Sequence, residues 1–157
     1  MKKFELTNEF ITNMFGTKLF RIRALVEFGD VEAGELGGYV EKESNLGHDD
    51  NAWVYGNAWV YGDAQVSGDA RVCGNGDYAY AHGFGSVNRT TTFFRLKDGG
   101  VGVRCGCFYG TLAQFRDKIR ETHGETKKAQ EYLMLADLME LRFEEDENEV
   151  GNRKYVE

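Results

Sequence analysis

Proline is absent from this 157-residue chain, so reversals of direction fall to its 20 glycines and to Asn and Asp. Cysteine is scarce and odd in number. Cys73, Cys105 and Cys107 do not make a disulfide framework. Cationic side chains are outnumbered: 19 Lys and Arg face 26 Asp and Glu, and the formal net charge of −7 argues against duplex nucleic acid as a partner. No stretch approaches the ~20 consecutive apolar residues of a membrane span. The opening residues MKKFELTNEF lack the apolar run and small-residue cleavage site of a signal peptide, so the expected location is the cytoplasm. Only three histidines, His48, His82 and His123, are available for proton transfer.

Hydrophobic residues make up 41% and aromatics 13%, enough for a core in one compact unit with a small appended piece. Residues 51–74 read NAWVYG, NAWVYG, DAQVSG, DARVCG, four hexapeptides without insertion. Valine recurs at 54, 60, 66 and 72, and glycine follows each two positions later. A six-residue period suits neither a helix nor a hairpin meander; it is a β-helix repeat, with valine inward and a turn every six residues. Backwards, Val40 and Leu46 continue the six-step, and the eight residues from Leu46 to Val54 demand a two-residue bulge within 47–50. Forwards, Tyr78 and Phe84 continue it, but His82 falls where a small residue belongs.

This pattern resembles the left-handed parallel β-helix of hexapeptide-repeat proteins. That resemblance implies three hexapeptides per triangular coil, three chains side by side, and an acyltransferase or an inert scaffold as the role. The expected fold is mainly β: a short left-handed parallel β-helix with a C-terminal extension of a β-hairpin and two helices. The expected divisions are an N-terminal segment at 1–35, the coil at 36–88, the extension at 89–143 and a disordered acidic tail at 144–157. In the first, Phe20, Ile22 and Ala24 alternate with Arg21 and Arg23 as a strand. In the extension, 91–96 and 101–105 flank a Lys-Asp-Gly-Gly turn as a hairpin. Residues 106–110 read as a loop, and Thr111 with Gln114 forms a capping box opening a helix that stops at Gly124. A second helix from about 126 to 143 aligns Ala129, Tyr132, Ala136, Met139 and Phe143 on one face.

The run Arg104-Cys-Gly-Cys-Phe-Tyr-Gly-Thr, the Glu-Thr-His-Gly that ends the first helix and Glu131-Tyr-Leu, with Phe20-Arg-Ile-Arg-Ala and Leu36-Gly-Gly-Tyr-Val, resemble uncharacterised phage- and prophage-encoded proteins. That likeness implies a phage accessory protein in the host bacterial cytoplasm. The likeness supplies no activity beyond host management, counter-defence included; the role expected from the residues is non-enzymatic, binding a host protein or a phosphorylated signalling nucleotide.

Three constellations carry the candidate chemistry. Residues flanking each inward valine face away from the coil, so Trp53, Tyr55, Trp59 and Tyr61 should pave an outer surface, covered by a homotrimer or a partner protein. Arg89, Thr90, Thr91, Arg95 and Arg104 gather near Gly110 and Thr111, where helix-start amides and arginines would bind a phosphorylated ligand. His82 is the alternative catalytic residue, a general base for an acyltransferase with an acyl-CoA donor. Cys105 and Cys107 are spaced one residue too tightly for a zinc knuckle, so neither a metal nor a cofactor is expected.

Overall fold

The computed structural model describes residues 2–85 and 89–144. Among them lie β1 (Phe4–Thr12), β2 (Lys18–Ala24), β3 (Leu36–Val40), β4 (Trp53–Val54), β5 (Trp59–Val60) and β6 (Arg71–Val72). Then come β7 (Tyr78–Phe84), β8 (Arg89–Arg95), β9 (Val101–Cys105) and β10 (Phe108–Thr111), followed by α1 (Leu112–His123) and α2 (Lys127–Phe143). No helix among the described residues is long and apolar enough to cross a membrane. Of the tail expected at 144–157, residues 145–157 lie outside them.

The expected left-handed parallel β-helix is not the architecture. The strands form a mixed four-stranded sheet in the order β1-β2-β3-β5, a wholly antiparallel one in the order β10-β9-β8-β7, and a β4-β6 pair. Among the described residues, parallel pairing is confined to two-residue contacts of β3 with β5 and of β4 with β6, plus a single bridge from Leu46 to Val66. The repeat is too brief and too uneven to propagate a coil. Trp53 pairs with Arg71 eighteen positions on, whereas Tyr39 pairs with Trp59 and Leu46 with Val66 twenty on. The insertion at 47–50 accounts for that mismatch, and long antiparallel hairpins take over on both sides.

What the repeat does deliver is a core. Val40, Leu46, Val54, Val60, Val66 and Val72 are buried together, with Ala52, Ala58, Ala64 and Ala70 between them. Gly56, Gly62 and Gly68 all take positive φ, the backbone state that glycine adopts at least cost and that reverses the chain after Val54, Val60 and Val66. Over this core folds the β1–β2 hairpin, whose Asn13 Oδ1 accepts from the amides of Phe15 and Thr17. Lys3 at its base is 2% exposed. Its ammonium donates to the carbonyls of Asp50 and Ala52 and to the Asp50 carboxylate. Burial pushes the Lys3 pKa below the ordinary lysine value, opposed by the charge of Asp50.

A second core lies between the antiparallel sheet and the helices. Thr111 caps α1 by accepting from the Gln114 amide while Gln114 Oε1 accepts from the Thr111 amide. The buried face of α2 is Ala129, Tyr132, Ala136, Met139 and Phe143. Successive strand residues point to opposite faces. Phe93 therefore packs with the helices and Phe94 with the valines, so β8 is a wall common to both cores.

Candidate functional site

The seven residues expected to form one anion site are dispersed by this fold. Arg89 and Arg95 share a face of β8 but stand at its two ends, six residues and about 20 Å apart. Arg95 Nη1 donates to the carbonyls of Gly99 (3.2 Å) and Phe143 (3.1 Å), and its guanidinium lies 5.1 Å from the Phe143 ring. With Thr111 it borders a cavity that also carries Asp98, Glu140 and Glu144, poor company for an anion. Arg104 Nε donates to the Gly106 carbonyl at 2.9 Å, and the side chain borders a small recess beside His48, Asp49 and Asp50. Gly110 is buried against Gln114 and Phe108. Thr91 is fully buried and donates its hydroxyl to Cys105 Sγ at 3.3 Å.

Arg89 and Thr90 remain together, joined by His82. The β7–β8 register sets His82 opposite Thr90, and His82 Nδ1 lies 2.7 Å from Thr90 Oγ1. These three border a cavity of about 350 Å³ with Lys42 and Asp63. Lys42 reaches Asp63 at 3.5 Å, an exposed pair of small energetic weight. Arg89 also borders the neighbouring cavity, of about 310 Å³, together with Lys118, His123, Cys105, Cys107 and Tyr132. The two spaces adjoin at the Gly106 turn, where an added side chain would collide with the Arg89 guanidinium.

The electrostatics of this pair of cavities run against those of the whole chain. Among the described residues, three permanent cations, Lys42, Arg89 and Lys118, and two histidines stand against the single carboxylate of Asp63. Sequence reading missed Lys42 and Lys118. Neither lies near Arg89 in the chain; pairing of the repeat with β3 and packing of α1 on β10 bring them there.

The aromatic surface is also rearranged. Trp53, expected outward, is fully buried, with its ring centroid 5.2 Å from that of Phe28 and 6.3 Å from that of Phe4. Gly37 makes room for it, since a Cβ there would come within 2.8 Å of the indole. The face of β4 that would be solvent in a bare repeat is thus roofed by β1 and the loop after β2. Tyr55 is half-buried beneath Arg71 (5.0 Å), Trp59 is half-buried and Tyr61 is 38% exposed.

Among the described residues, no group of three or more His, Cys, Asp and Glu side chains is placed to hold a metal ion. The resemblances to hexapeptide-repeat and phage-encoded proteins find no support in comparison with known proteins. The chain matches no family model, no curated protein and no solved structure.

Proposed function

We propose that this protein is a binding protein for a small phosphorylated ligand of the nucleotide class, seated where the two cavities meet at Arg89. The observation that carries the reading is the local inversion of charge: in a chain of net charge −7, the described residues around these spaces include three permanent cations and two histidines against one carboxylate. Arg89 lies at the junction and offers a planar fork suited to phosphate oxygens. Thr90 and His82 add hydrogen-bonding groups already held against each other.

Isothermal calorimetry with cyclic di- and trinucleotides and ADP-ribose derivatives tests the reading. A binding probe should lose about 1.5–3 kcal/mol with Arg89→Ala, the worth of a charge-assisted hydrogen bond. Lys42→Ala should weaken it less, and rising salt should weaken it in the wild type. Absence of heat with every probe, or binding that ignores Arg89→Ala, removes the proposal. Acetyl-CoA in the same titration addresses the acyl-transfer alternative, whose base would be His82: binding followed by turnover that His82→Ala abolishes would establish it instead.

A further inference from the structure

Cys105 and Cys107 are not used by the reading above, and their surroundings are unlike those of buried structural cysteines. Cys105 pairs with Phe108 in the β9–β10 ladder, leaving Gly106 and Cys107 as a two-residue turn. Gly106 takes φ +60°, the positive value that the first position of such a hairpin turn requires. Across a tight turn, Cα atoms two positions apart lie about 5–6 Å from each other, inside the about 4.4–6.8 Å that a disulfide spans. Both residues border the same cavity, Cys105 half-buried and Cys107 exposed at its mouth. Cys105 Sγ accepts from the Thr91 hydroxyl (3.3 Å) and lies 3.8 Å from the Tyr132 hydroxyl. Arg89, Lys118 and His123 stand around the cavity, and among the described residues none that lines it is a carboxylate.

We infer that Cys105 and Cys107 form a dithiol site that reacts with a low-molecular-weight disulfide bearing carboxylate groups and closes to an intramolecular disulfide. The chemistry balances in two exchanges. The exposed Cys107 thiolate attacks one sulfur of the small disulfide, forming a mixed disulfide and releasing one small thiolate. The Cys105 thiolate then attacks Cys107 Sγ, forming the Cys105–Cys107 bond and releasing the second small thiolate. The thiol protons leave to solvent, the protein dithiol is oxidised by two electrons, and the small disulfide is reduced by two. The cations favour the approach of an anionic reactant over a cationic one. The short chain segment between the sulfurs makes the second step intramolecular. This site does not depend on nucleotide binding, and its test uses residues other than Arg89.

The reduced full-length chain, exposed to glutathione disulfide, quenched with maleimide and cleaved after Arg104 and Arg116, yields one peptide carrying both thiols. It should appear unlabelled and lighter by two hydrogens. Cys105→Ser should arrest the reaction as a stable glutathione adduct on Cys107. Lys118→Ala should slow the reaction with glutathione disulfide by about two- to fivefold, the reach of one exposed charge, without slowing the reaction with the cationic disulfide cystamine. Full maleimide labelling after exposure, a closed disulfide persisting in Cys105→Ser, or equal slowing of both probes would each overturn the inference.

Discussion

Replacing Asp50 with alanine strips three donors of their acceptor at once. Its Oδ1 takes the Ala52 amide (3.1 Å) and the Lys3 ammonium (3.2 Å), and its Oδ2 takes the Gly68 amide (2.7 Å). Breaking an enclosed ion pair on one side costs about 3–5 kcal/mol. Two features lower that figure here. The Asp50 side chain keeps 24% of its exposure, and Lys3 Nζ retains the Asp50 and Ala52 carbonyls at 3.0 and 2.6 Å. The ammonium's share then falls to about 2 kcal/mol, and the two amides add about 0.5–1 kcal/mol each. The expected loss is about 3 kcal/mol, which in a chain of this length lowers Tm by about 6–12 °C. Urea unfolding at pH 7 of wild type, Asp50→Ala, Lys3→Met and the double variant gives both the loss and the coupling. Lys3→Met removes the charge that Asp50 neutralises, so the double variant should retain at least about 1 kcal/mol relative to the sum of the singles. A loss below about 0.5 kcal/mol for Asp50→Ala, or strict additivity of the pair, would refute the clasp as a stabilising contact.

Trp53 Nε1 is buried and has no hydrogen-bond partner among the described residues. Trp53→Phe loses contact area but also removes that stranded donor, so it should cost less than about 1.5 kcal/mol while Trp53→Ala costs about 3–5 kcal/mol. Equal losses in chemical denaturation would show that the indole nitrogen carries no penalty. The Tyr132 phenol is pushed up to about 12 by burial and then by the neighbouring Cys105. Between the ordinary tyrosine value of 10.0 and about 12 the folded chain keeps this proton while the unfolded chain releases it. The stability it contributes is therefore complete below pH 10 and is lost as pH rises towards 12. Burial shifts Tyr78 in the same direction, so Tyr132→Phe should flatten the alkaline fall of Tm without abolishing it. An unchanged slope would exclude Tyr132 as a contributor.

The parts of the fold that could be read from sequence are those governed by neighbours in the chain. Thr111 and Gln114 announce a helix start because the two residues satisfy each other's amides three positions apart. The α2 stripe is legible because one face of one helix is buried against one core. The valine period points those side chains inward, as they lie, but a period alone does not say how many residues separate paired strands. The insertion at 47–50 changed that spacing, and antiparallel sheets prevailed over a coil. The burial of Trp53 is not legible in the repeat because its roof, Phe4 and Phe28, comes from segments that carry no repeat. The same limit applies to the site. Proximity of Arg89, Arg95 and Arg104 in sequence suggested one pocket, yet the rise of a strand separates the first two, and Arg104 turns back on Gly106. The cations that do accompany Arg89 come from residues 42 and 118, a distance in sequence that no local pattern spans.

The sheet wall made by Phe93 and Phe94 bears on how the chain could be shortened or rearranged. A chain ended before β8 would keep the valine core but leave it open where Phe94 had been. A fragment beginning after β8 would deprive the helices of Phe93 in the same way. Neither piece owns the wall, so a cut near residue 88, where the repeat register ends, is expected to open both cores. Heat or denaturant should meet one cooperative body, and a graft that carries the thiol cavity elsewhere must bring β8, with both of its faces furnished, along with it.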